Sequence, residues 1–474
     1  MPLERRGILE AFYGRPWSWQ ERHDMLDFMR GAGFNAYVYA PKNDPIHRNR
    51  WREPYTTVEW AEFERLGQHA RDAGVEFIFG LSALRFSYTK PAHLLALRSK
   101  LRAARACGIR SFALMLDDLP RSFAHSEDVT VFPDLARAQA WLVNELVQDV
   151  DPEGEFYFCP TQYFGSGNSA YLWALGASLT PRAQVFWSGR KVCSPTITAA
   201  DIQRVSDVLR RKVVIWDNFP VNDLDMQHDL HVAPLVGRAP DLPEVAGGYF
   251  AAAGALSATS RIALRTTAAY LSDPYGYNPL TAFRDATRHS TATPQEAEAV
   301  AFLADLARRH PLVSRSSVLY HSLWPAIDAF WAARGGPPKQ AGSDVPGRPA
   351  VTDVTPDERP LRQLVRDMEL HAYTLARLHD PALRRNLAPW TAKLAGWARV
   401  AKYALGALDH PHDARAREYV LEEIPLVREN FHWVAGDTFD TFARRCVWSA
   451  EQASEQAGEQ ASEPPPGQRL RETA

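Results

Sequence analysis

Short apolar runs alternate with amphipathic stretches from residue 7 to about residue 285. The runs are GILEAFYG (7–14), NAYVYA (35–40), EFIFGLS (76–82), SFALMLDD (111–118), EFYFCPT (155–161), QVFWSG (184–189), VVIWDN (213–218) and GGYFAA (247–252). Each is rich in β-branched or aromatic residues and too short for a globular helix. Near-continuous apolar runs are what parallel strands covered on both faces require. Helical patterns lie between them, for instance over 19–33 and 57–74, and both close on glycine, a common helix stop. Eight strand signals alternating with helices predict an α/β fold, a (β/α)8 TIM barrel over residues 1–288. The competing topology is an open doubly wound sheet. That fold carries a Gly-rich phosphate loop after its first strand, and FYGRPW (12–17) is not one.

The pattern changes after about residue 290. Thr293-Pro294-Gln295-Glu296 reads as a capping box with proline at the first helical position. Helical periodicity follows it and returns at 361–378, 389–408 and 414–431. These predict an all-α helical bundle over 289–447. The Pro/Gly-rich stretch 335–360 reads as a mobile excursion within it, and 448–474, poor in apolar residues, as a disordered tail.

Composition narrows the function. Lys+Arg number 54 and Asp+Glu 56, a formal net charge of −2, so nothing in the balance calls for nucleic acid. There is no basic amphipathic run for a membrane surface and no long apolar segment. The expectation is therefore no membrane span, no signal peptide and a cytoplasmic location. The four cysteines are scattered without a CxxC pair and read as free thiols, Cys107 and Cys159 as core. A homodimer through the helical region is open.

A barrel predicts that functional groups gather at the C-terminal ends of its strands. Polar residues do cluster there: Glu10, Lys42-Asn43-Asp44, Asp117-Asp118, Thr161-Gln162-Tyr163, Trp216-Asp217-Asn218, and Asp223 in the seventh loop. Two carboxylates at one strand end can perform acid/base work. Adjacent strand residues point to opposite faces, so Asp117 and Asp118 meet one ligand only if the following turn redirects one of them. The usual glycosidase pair sits across the sugar on different strands, so an adjacent pair fits the substrate-assisted exception better. The bland alternative is that Asp-Asp simply caps the next helix. His228-Asp229-Leu230-His231 has a metal-like look but is read as incidental. Asp44, His47, Arg48 and Arg52 read as an ion-pair network bracing the second loop.

LEAFYGRPWSWQER (9–22), YVYAPKNDPIHRNRWREPY (37–55), FALMLDDL (112–119), FCPTQYFGSG (158–167) and VVIWDNFPVND (213–223) resemble, in order and spacing, glycoside hydrolase family 84, the O-GlcNAcases and bacterial β-N-acetylglucosaminidases. NLAPWTAKL (386–394) is similar to the family's post-barrel bundle. The resemblance implies a retaining exo-β-N-acetylglucosaminidase working through an oxazoline intermediate, without cofactor or metal, on a 2-acetamido-sugar glycoside. It implies that Asp117 orients the acetamido group and that Asp118 is general acid, then base. Tyr163 then holds the acetamido oxygen and Lys42 the 3-hydroxyl side. Trp216 and Asn218 form the wall and the asparagine near the acetamido group, and Asp223 grips the outer hydroxyls. The sequence departs from the family twice. Ala11 stands for a glycine whose carbonyl faces the sugar, and GYFAAAGALSATS (248–260) lacks the usual Asn-Pro, with Ala252 near the expected place. These departures leave open a hydrolase of GalNAc or of a 4- or 6-modified GlcNAc, or a non-catalytic glycan-binding barrel.

Overall fold

A computed structural model describes residues 3–150, 153–308, 318–335 and 355–462. The eight apolar runs form eight parallel strands: β1 Arg6–Glu10, β2 Ala36–Tyr39, β3 Glu76–Leu81, β4 Ser111–Met115, β5 Phe156–Cys159, β6 Ala183–Trp187, β7 Val214–Asp217 and β8 Gly248–Ala252. They pair in sequence order, and β8 returns to β1 with Leu9 opposite Ala252, closing the barrel. Helices lie between the strands. The first two begin with full capping boxes, Ser18 with Glu21 and Thr56 with Glu59. Gly33 closes the first in the left-handed region at φ 81°.

The barrel interior is aromatic. Tyr157, Phe186 and Phe250 meet with ring centroids 5.4–5.5 Å apart, and Trp216 packs on Phe186 at 5.6 Å. Position 7 must be glycine here, because a Cβ would lie 2.1 Å from the Phe250 ring. This layer supports the floor on which the functional groups stand.

In the described residues the chain divides into two compact units between Ser290 and Thr291. The second is helical: Pro294–Leu306, Val318–Ala333, Arg359–Leu375, Pro381–Asp409, Ala414–Glu429 and Thr438–Ser462. Its core includes Trp390, Leu394 and Trp397, each 1% exposed or less. Half of the expected capping box forms. Thr293 accepts from the Glu296 N–H, but the Glu296 carboxylate turns to the N–H groups of Ala292 and His379. The helix expected from 389 begins at Pro381, because Asp380 caps it by accepting from Ala382 and Leu383, and Pro389 is carried inside. The tail expectation is corrected over 448–462. Those residues extend the helix that starts at Thr438, seeded by buried Phe439, Phe442, Cys446 and Ala450 and continued by a proline-free run rich in Ala, Glu and Gln that carries Gly458 within it. Residues 463–474, and 336–354 of the expected excursion, lie outside the described residues.

Candidate active site

The polar residues at the strand ends separate by the two-residue alternation of a strand. Glu10 and Asp217 face outward and are structural. Glu10 accepts from Arg22 Nε and Nη2, both at 2.9 Å, from the Trp17 N–H at 3.2 Å and from the Tyr37 hydroxyl. Asp217 is held by Arg238 Nε at 2.7 Å and by the Tyr249 hydroxyl. Their neighbours Ala11, Trp216 and Asn218 face inward and line a cavity of about 440 Å³. Lys42, Asp117, Asp118, Tyr163 and Asp223 line the same cavity, so every residue to which the resemblance gives a role converges there, while Ala252, the second departure, does not.

By alternation alone Asp118 would point away from Asp117. It does not, because its backbone is in the left-handed region at φ 59°. An aspartate tolerates that region at a cost of about 1 kcal/mol, and the turn returns its carboxylate to the cavity. The two carboxylates meet different surroundings. Asp117 is buried and ion-paired with the equally buried Lys42, whose side chain is 2% exposed. Its Oδ1 has no hydrogen-bond partner among the described residues. Asp118 is exposed and receives one phenol on each oxygen, Tyr163 at 2.7 Å and Tyr13 at 3.0 Å. Burial, then the Asp118 charge, pushes the pKa of both phenols far up, so both remain donors at working pH.

Trp216 Nε1 donates to Asn218 Oδ1 at 2.8 Å, and Asn218 Nδ2 donates to the Val192 carbonyl at 2.8 Å. Asn218 thus orients the indole and ties the β6 and β7 loops together. Asp223 Oδ2 accepts from the Tyr13 N–H at 2.7 Å, and burial raises its pKa. Ala252 ends β8 at 2% exposure and is not among the residues lining the cavity. The departure at Ala252 therefore does not itself shape the cavity wall.

Sequence reasoning missed Tyr13, Val192, Cys193, Val221 and Leu224 to Met226, which complete the lining. Tyr13 stood inside a quoted motif, but its contact with Asp118 needs the tertiary fold. Burial pushes the Cys193 thiol up to about 11, so it is a neutral wall group at neutral pH. Cys159 is buried as expected, whereas Cys107 is half-buried.

The expected ion-pair network in the second loop is corrected. Asp44 is satisfied by hydroxyls and backbone, accepting from Tyr39 Oη at 2.7 Å, Tyr55 Oη at 2.5 Å and the N–H groups of Ile46 (2.8 Å) and His47 (3.2 Å). His47 Nδ1 donates to the Gly80 carbonyl at 3.1 Å. Arg48 lies over the Tyr13 ring at 5.5 Å, and Arg52 over Trp51 at 4.4 Å. His231 Nδ1 donates to the Val221 carbonyl at 2.7 Å. Among the described residues no group of three His, Cys, Asp or Glu side chains is placed to hold a metal, and no helix is long and apolar enough to cross a membrane.

Residues 6–305 match a family profile described as beta-N-acetylglucosaminidase. Over 243 residues, 50% of this chain, the sequence is 37% identical to the Protein O-GlcNAcase of Rattus norvegicus and equally to that of Mus musculus. The match spans 26% of the length of those relatives. Among solved structures, a mutant of the Thermobaculum terrenum O-GlcNAc hydrolase superposes with a TM-score of 0.84 at 29% identity, covering 98% of this chain and 99% of that one.

Proposed function

This chain belongs to the beta-N-acetylglucosaminidase family, and from that premise we propose that it is a retaining exo-β-N-acetylglucosaminidase. In this reading it cleaves 2-acetamido-sugar glycosides by substrate-assisted catalysis. The observation that carries the reading is the division of labour between two adjacent carboxylates in one cavity. Asp117 is fixed by Lys42 through one oxygen and keeps the other free. A free, buried carboxylate oxygen suits the N–H of an acetamido group. Accepting that hydrogen bond increases electron density on the acetamido oxygen, which attacks the anomeric carbon and forms an oxazoline.

Asp118 protonates the departing glycosidic oxygen and then takes a proton from the water that opens the ring. Its charge must therefore alternate, and its surroundings suit that. Two phenol donors stabilise the anion left after proton transfer. A phenol hydroxyl can rotate to accept when Asp118 carries its proton. Trp216, held by Asn218, forms the wall against the sugar face, and Asp223 stands ready to accept from outer hydroxyls.

The test is release of 4-methylumbelliferone from the β-N-acetylglucosaminide, with the N-acetylgalactosaminide and a 6-sulfated glucosaminide alongside. Turnover of the plain glucosaminide, lost in Asp118→Asn, supports the reading. Turnover of another panel member alone assigns a modified sugar. Ligand binding without turnover on any of the three favours a glycan-binding barrel.

A further inference from the structure

We propose that Lys100 is a positioning residue for the site, anchoring the loop after β2 so that Lys42 meets Asp117. Lys100 lies on the helix Pro91–Ala106, outside the cavity lining, and is 3% exposed. Its ammonium donates to the carbonyl of Ile46 and, at 2.6 Å, to that of Trp51. The Tyr55 ring lies 5.2 Å away. Among the described residues it makes no ion pair with a carboxylate. An ammonium buried without a counter-ion is costly, and a methionine would fill the same space, so the two carbonyls are its reason to be there. Burial pulls its pKa down to about 8, against the pull of Asp44 and Glu53. The neutral amine still has two N–H donors, one for each carbonyl.

Both carbonyls belong to the loop that follows Lys42, a run of turns without helix or strand to fix it. Asp44 fastens the same loop from the other side through Tyr39 and Tyr55. The loop reaches one carboxylate of the site directly and the other through Tyr13: Lys42 pairs with Asp117, and Arg48 stacks on Tyr13, which holds Asp118. Withdrawing the Lys100 donors orphans two buried carbonyls and frees the segment that sets both contacts.

Only the kinetic arm of the test rests on the function proposed above. Lys100→Met and Lys100→Gln are made in the full chain, alone and with Lys42→Met. Native-state trypsin cleavage after Arg50 should rise about tenfold in Lys100→Met while cleavage after Arg121, in the loop after β4, stays at its wild-type rate. In the kinetic arm, Lys100→Met should lower kcat/KM about tenfold when Lys42 is present and less than twofold when it is absent. Lys100→Gln, which keeps a donor, should fall between and serves if the methionine variant does not fold. Unchanged cleavage after Arg50, equal rises at both arginines, or equal kinetic losses in both backgrounds would overturn the proposal. A wild-type protein inactive on the whole sugar panel would overturn the functional reading instead, and the cleavage pattern would still decide the role of Lys100.

Discussion

Replacing Lys42 with methionine keeps the length of the side chain and removes its charge. Asp117 then remains buried at 3% exposure, with one oxygen already unpartnered and the other newly so. Removing one partner of a buried pair costs roughly 3–5 kcal/mol, because the surviving charge is uncompensated. The lower end applies here, since Asp117 lines an open cavity and, once released from Lys42, can turn its carboxylate toward it. About 3 kcal/mol corresponds to a fall in melting temperature of roughly 6–12 °C for a domain of this size. In the proposed mechanism the same loss frees Asp117 to turn away from the acetamido group, so kcat/KM should drop on the order of a hundredfold. The decisive comparison is the double variant Lys42→Met/Asp117→Asn, measured by calorimetry and by aryl glycoside hydrolysis. With no charge left to compensate, it should regain most of the lost stability and none of the activity. A single variant costing less than about 1 kcal/mol, or a double variant no more stable than the single, would refute the reasoning.

Three further outcomes are expected. Tyr163→Phe and Tyr13→Phe each remove one donor from Asp118, at 2.7 and 3.0 Å, and should each lower kcat/KM by about fivefold to tenfold, read by steady-state kinetics. Arg22→Met leaves Glu10, fully buried and bidentately paired, without its cation, and should cost roughly 3–5 kcal/mol by urea unfolding. His47 is held down to about 4 by burial, so the fold favours its neutral form. That contribution is complete above the unfolded value of about 6.5 and is lost as pH falls through about 4. A His47→Asn variant should therefore lose less stability than wild type between pH 7 and pH 4.5, as measured by urea unfolding at both values.

The barrel was legible because strands buried on both faces leave near-continuous apolar runs, and each run became a strand. The site was legible because a barrel collects its polar groups at one rim. Charge alone could not sort that rim. Glu10 and Asp217 look in the sequence like Asp117, yet alternation turns them outward to Arg22 and Arg238. Asp118 breaks the alternation through a left-handed backbone that an aspartate, unlike a glycine, does not advertise. Tyr13, Cys193 and Leu224 reach the cavity from loops whose course no local pattern encodes. Low apolar content does not distinguish the helical stretch 448–462 from disorder, because Ala, Glu and Gln extend a helix that is already anchored.

The account's central claim is that Asp118 delivers the proton to the leaving group while Asp117 governs the acetamido group. The most direct measurement compares Asp118→Asn with wild type on two β-N-acetylglucosaminides, a dinitrophenyl glycoside that leaves without protonation and a methyl glycoside that cannot. General acid catalysis is worth about 10²–10⁴-fold, so the methyl glycoside should lose that much and the dinitrophenyl glycoside at least tenfold less. Equal losses on the two substrates would contradict the assignment.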